Sequence, residues 1–155
     1  MPERDEDVAK IQRFFKSILK EAWKWQLAND ELAALTVTIR ETGGIGAVKL
    51  SEKVTGGPAP QELSALLIRR DEAMDRLDRQ QAKLFRMQRV AGEMIDRLEL
   101  PLQRSIMRQR YLYLWPWKKV SEAAHYSVGY CKRQQAEAMN ALCEIHVDSD
   151  LSRKF

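Results

Sequence analysis

With 155 residues, 45% hydrophobic and 31% charged, the chain has room for one domain, or one small domain plus an extended element. That balance fits a folded, helix-rich protein rather than a disordered one. The charged opening MPERDEDVAK has no apolar core, and no run approaches the ~20 apolar residues of a membrane span. The expectation is a cytoplasmic protein. Net charge is +4, and its placement is uneven: residues 1–100 hold 17 basic and 17 acidic side chains, residues 101–155 hold 9 and 5. An excess confined to the last third suggests a polyanionic partner there.

From Asp5 to about Thr42 apolar residues recur in steps of three and four. Val8, Ile11, Phe15, Ile18, Ala22, Trp25, Asn29, Leu32, Thr36 and Ile39 form one stripe, widened by Phe14, Leu19, Trp23 and Leu35. This is a heptad-like seam on a long helix, with Asn29 and Thr36 as polar interruptions able to set register. Residues 43–60, GGIGAVKLSEKVTGGPAP, hold five glycines and two prolines and cannot sustain a helix. GGIGAV is no phosphate loop, because no strand precedes it and no Gly-Lys-Ser/Thr follows. The segment reads as a connector, with Val48, Leu50 and Val54 available to fold back on the helices.

A second long helix is predicted over 61–98, entered at Pro60, with Gln61 and Glu62 suited to its positive end. Its seam runs Leu63, Leu67, Arg70, Met74, Leu77, Gln81, Leu84, Gln88, Ala91, Ile95 and Leu98. The two long helices either fold into an antiparallel hairpin or pair with counterparts in a second chain, as a coiled-coil homodimer. The pattern allows both.

After Pro101 the helical period resumes through PLQRSIMRQRYLYL and is expected to stop at Pro116. A short helix follows over Trp117–Ala124, then the turn HYS, then a third helix behind the N-cap Ser127. The buried stripe of that last helix is Cys131, Gln135 or Gln134, Ala138, Met139 and Leu142. Cys131 and Cys143 are twelve residues apart on one helix, ~18 Å at 1.5 Å per residue, so they cannot bridge and read as buried thiols. With His125 and His146 as the sole histidines, no metal or cofactor site is expected.

Short helix, tight turn, longer helix is the helix-turn-helix pattern, completing an all-α chain: N-terminal helix 1–42, connector 43–60, second helix 61–98, C-terminal domain 101–146 and tail 147–155. Ser121 stands at the position where the two helices touch, and Cys131 where an apolar plug is needed. His125 occupies the turn position that favours glycine, so a left-handed backbone costing ~1 kcal/mol is expected there. The residues Pro101, Arg110-Tyr111-Leu112, Trp117, Val120, Tyr126-Ser127, Arg133, Ala138 and Leu142 resemble the fourth region of bacterial sigma factors. They are most similar to the version carried by phage late-transcription regulators of the ArpU and RinA type. The likeness covers residues 98–142. Pro116, His125 and Gly129 depart from its usual serine, glycine and arginine.

That resemblance implies duplex DNA as partner, read in the major groove by the start of the last helix. Val128, Gly129, Tyr130, Arg133 and Gln134 are the expected base-reading residues, with Arg133 suited to guanine, Gln134 to adenine and Val128 to a thymine methyl. Lys118, Lys119, Ser127, Lys132, Arg108 and Arg110 are the expected phosphate contacts. Lys118 and Lys119 open a helix where cations oppose the dipole, so local stability does not account for them. Trp117 and Tyr126 are expected to pack the small core. No nucleophile–base or metal-ligand arrangement appears, so no enzyme is expected. The resemblance implies a regulator activating phage or prophage late genes in a bacterial host cell, with RNA polymerase as a further partner. A DNA-packaging recognition subunit, similar to a small terminase and forming a higher oligomer, is the alternative.

Overall fold

The computed structural model describes residues 2–42 and 60–146; the connector expectations, Val48, Leu50 and Val54 included, lie outside them, as does the tail. The described residues form five α-helices: α1 (Pro2–Thr42), α2 (Pro60–Ile95), α3 (Pro101–Met107), α4 (Trp117–Ala124) and α5 (Val128–His146). The protein is all-α, a long α1/α2 hairpin followed by three shorter helices. Chain contacts divide it into two units, Trp23–Lys83 and a second formed by Met1–Ala22 with Leu84–Phe155.

The 23–83 unit is thin. Along α1 the residues turned inward are Trp25, Ala28, Leu32, Leu35 and Ile39, all half-buried, while on α2 only Ala73 is fully buried. Asn29 and Thr36, read as register-setting seam residues, are exposed instead; the Thr36 hydroxyl donates to the Leu32 carbonyl of its own helix. Ala28 and Leu35 are turned inward in their stead, so small and apolar side chains take the places assigned to the polar pair. Across the helices the Arg76 guanidinium makes a two-pronged contact of 3.2 Å with each oxygen of Glu31. Trp23, Leu27, Val37, Ile68 and Met74 remain exposed.

The other unit holds the substantial core. Phe15, Ile18, Met94, Ile95, Leu98, Ile106, Met107, Val120 and Leu142 are fully buried, so α1 and α2 contribute as much to it as the shorter helices do. Phe15 packs on Tyr111, ring centroids 4.8 Å apart and planes at 55°. The Tyr111 hydroxyl donates to Gln135 Oε1 at 3.0 Å, which satisfies a polar atom that burial would otherwise strand. Cys131 and Cys143 are free and buried, as read from their spacing.

Burial pushes the Tyr111 phenol up to about 12, with Arg110 opposing in part. A folded-state pKa above the unfolded ~10 means the folded chain holds that proton longer, so stability present below pH ~10 is lost as pH rises towards ~12. Urea melts across that interval are expected to lose about 2–3 kcal/mol from this residue, and Tyr111→Phe should flatten that limb.

The junctions explain how short helices hold their places. Arg104 donates through Nη1 to the carbonyls of Leu98 (2.6 Å) and Glu99 (3.0 Å), in the short link between α2 and α3. Arg108 pairs with Asp96 across the same bend. The helix begun at Pro101 does not run to Pro116. It widens into a π-helical turn over Arg108–Leu112, closed by a bond of 3.0 Å from the Tyr113 N–H to the Arg108 carbonyl. Gln88 reaches over from α2 and donates to the carbonyls of Tyr111 (3.0 Å) and Leu112 (3.1 Å), occupying acceptors that the interrupted helix leaves open. Leu114 then adopts φ 59°, a turn that redirects the chain before Pro116 caps α4.

His125 takes the left-handed conformation, φ 59° and ψ 32°, at the end of α4. Glycine would adopt it without Cβ strain, so His125→Gly is expected to raise stability by about 0.5–1 kcal/mol, seen as a higher thermal midpoint. Ser127 caps α5, its Oγ accepting from the Tyr130 N–H at 3.1 Å.

Candidate nucleic-acid interface

α3, α4 and α5 meet around Ile106, Val120 and Cys131, with Leu102, Trp115, Trp117 and Ala124 packed against them. Trp117 therefore packs where expected. Tyr126 does not: it is 48% exposed, because the left-handed turn at His125 carries it outward. Ser121 is only half-buried at the α4–α5 turn, and its hydroxyl donates to the Tyr126 carbonyl.

The residues expected to face DNA fall into two groups. Lys118, Lys119, Ser127, Gly129, Lys132 and Arg133 are exposed, and Val128 and Tyr130 half-exposed, at the starts of α4 and α5. A Cβ added at Gly129 would meet nothing within 4 Å, so the first turn of α5 has open space beside it. The other group is committed to the fold. Arg108 is paired with Asp96, and Arg110 donates to the Trp115 carbonyl at 3.0 Å. Gln134 is half-buried and accepts from the buried Gln103 at 3.4 Å, so its amide is turned towards α3.

Aromatic rings organise the cations. Lys119 Nζ lies 4.1 Å from the Trp115 ring centroid. Trp117 is approached by Arg110 at 4.9 Å and Lys132 at 6.0 Å. Arg133 lies 5.8 Å from the Tyr130 centroid. Cations brought near an indole face gain about 0.5–1 kcal/mol at exposed sites, enough to restrict a flexible side chain without immobilising it. Among the described residues, none of Lys118, Lys119, Lys132 and Arg133 forms an ion pair with a carboxylate. The signal for these platforms lay in the spelling WPWKK, where each indole is near a lysine in sequence. The approach of Lys132, fifteen residues beyond Trp117, had no local signature.

The fold and this face define an all-α protein with an exposed basic and aromatic surface built from three short segments. No known protein family, no curated protein and no solved structure matches the chain. Among the described residues no group of His, Cys, Asp or Glu could hold a metal ion, and no helix is long and apolar enough to cross a membrane.

Proposed function

We propose that the chain is a sequence-specific binder of duplex DNA, using α4, the turn at His125 and α5 as a helix-turn-helix. The observation that carries this reading is the set of exposed cations Lys118, Lys119, Lys132 and Arg133 at the starts of α4 and α5, Lys132 lying 6.0 Å from the Trp117 ring, with no carboxylate partner for them among the described residues. Like charges brought together without counter-charges repel one another, and a polyanion relieves that repulsion while releasing its own counterions. The start of α5 offers the shape and chemistry for a major groove: small at Gly129, apolar at Val128, and a forked donor at Arg133. Lys118, Lys119, Lys132 and Ser127 are assigned to phosphates; Val128, Gly129, Tyr130 and Arg133 to base edges. Gln134, Arg108 and Arg110 serve the fold first.

The biological role in keeping with the sigma-factor likeness is control of phage late transcription, with RNA polymerase as a second partner. Fluorescence anisotropy with labelled duplexes, at two salt concentrations, tests the binding. Expected is saturable binding that weakens steeply with salt; none at low salt would end the proposal. Light scattering on the same sample separates the roles. A monomer or dimer fits a regulator, and a closed ring of many subunits would point to DNA packaging.

A further inference from the structure

The turn between α4 and α5 and the first turn of α5 display a pair of rings, Tyr126, expected in the core, and Tyr130, expected at the DNA. Tyr126 and Tyr130 lie with ring centroids 4.6 Å apart and planes 32° from parallel, and the Arg133 guanidinium carbon stands 5.8 Å from the Tyr130 centroid. The backbone beneath Tyr126 is held on both sides. Its N–H donates to the Ser121 carbonyl at 3.4 Å, and its carbonyl accepts from the Ser121 hydroxyl. Tyr130 is fixed by the Ser127 cap. Two neighbouring rings on anchored backbone thus stand at the start of α5, and the one on Tyr130 lies near an exposed arginine that has no carboxylate partner among the described residues.

A guanidinium set against a ring uses its flat face, while its N–H donors lie in the plane and stay free along the edge. At 5.8 Å from the Tyr130 centroid Arg133 is within cation–π reach, an attraction that restricts the side chain without consuming the fork that recognises two acceptors at once. A free arginine must lose its rotational freedom on binding; one held near a ring has lost part of it beforehand. We propose that Tyr126 and Tyr130 are positioning residues for Arg133, forming an aromatic pedestal that presents its guanidinium to a base edge of duplex DNA. This rests on the DNA-binding reading above. Guanine, with O6 and N7 side by side, is the base whose edge fits such a fork.

The test is selection by the full chain from a pool of duplexes randomised in sequence, followed by affinity measurements on the winners. The variants are Arg133→Ala, Tyr130→Ala, Tyr130→Phe, Tyr126→Leu and Tyr126→Phe, each checked by circular dichroism and a thermal melt. Wild type is expected to enrich a guanine that Arg133→Ala ceases to distinguish. Tyr130→Ala and Tyr126→Leu should each lose discrimination at that same position, by about 10-fold for Tyr130→Ala, with an unchanged salt slope. Both phenylalanine variants should retain it. At that guanine position, Tyr130→Ala combined with Arg133→Ala should discriminate no worse than Arg133→Ala alone. Retained preference in Tyr130→Ala and Tyr126→Leu overturns the pedestal while leaving DNA binding intact. Loss in the phenylalanine variants overturns it too, because the hydroxyls rather than the stack would then matter. A wild type that retains no duplex removes the DNA-binding reading and the pedestal together.

Discussion

Replacing Lys118, Lys119, Lys132 and Arg133 together by alanine is expected to weaken binding to duplex DNA by roughly 100-fold or more at ~0.1 M salt. Each phosphate contact contributes about 0.9 to the slope of log affinity against log salt, so losing the three lysines assigned to phosphates should lower the slope by about 3. These side chains are exposed and make no ion pairs among the described residues, and the loss of their weak ring contacts is offset in part by removing two cations from the positive end of α4, so the melting temperature should move by only a few degrees. Arg108→Ala supplies the contrast. That guanidinium is engaged by Asp96, so its loss should act on stability while leaving the salt slope nearly unchanged. A quadruple variant with the wild-type slope would exclude this face as the DNA-binding surface.

The second large effect concerns Phe15, which is entirely buried although it lies far from the C-terminal helices in sequence. Phe15→Ala is expected to cost about 3–5 kcal/mol, a large part of the 5–15 kcal/mol by which domains of this size are usually stable. Trp23→Ala removes a larger side chain, yet Trp23 is 64% exposed and its loss should stay within about 0.5 kcal/mol. Urea denaturation of the two variants decides the matter, since size alone would predict the reverse order. The same packing makes residues 101–146 a poor fragment. Detached from Phe15 and the rest of the core that α1 and α2 supply, they leave Tyr111 uncovered, and circular dichroism should show little cooperative melting.

The helices themselves were legible because their signals are local. Pro60 opens α2, Ser127 caps α5, and the bounds Trp117–Ala124 follow from Pro116 and the HYS turn. The left-handed His125 was legible too, because a helix that must reverse direction within three residues needs a positive φ whichever side chain supplies it. The π-helical turn was not. Its period differs from an α-helix by one residue over five, and it is supported by Gln88, an amide contributed by another helix. The seam of α1 was misassigned at Asn29 and Thr36 because steps of three and four allow two nearly equivalent phases on one helix. Only the position of the facing helix chooses between them.

Local rules alone specify an all-α chain of two long and three short helices, a left-handed turn at His125, and an excess of positive charge after residue 100. Each depends on backbone sterics, capping or charge count, all carried by neighbouring residues. Tertiary structure decided which of the cations remain available. Arg104, Arg108, Arg110 and Gln134 look as suited to DNA in sequence as Lys132 and Arg133, yet folding supplies the first four with carbonyls, a carboxylate and an amide. It also took Tyr126 out of the expected core and set it beside Tyr130 and Arg133. A side chain's partners are fixed by the path of elements distant in sequence, and hydrophobic period and charge carry no record of that path.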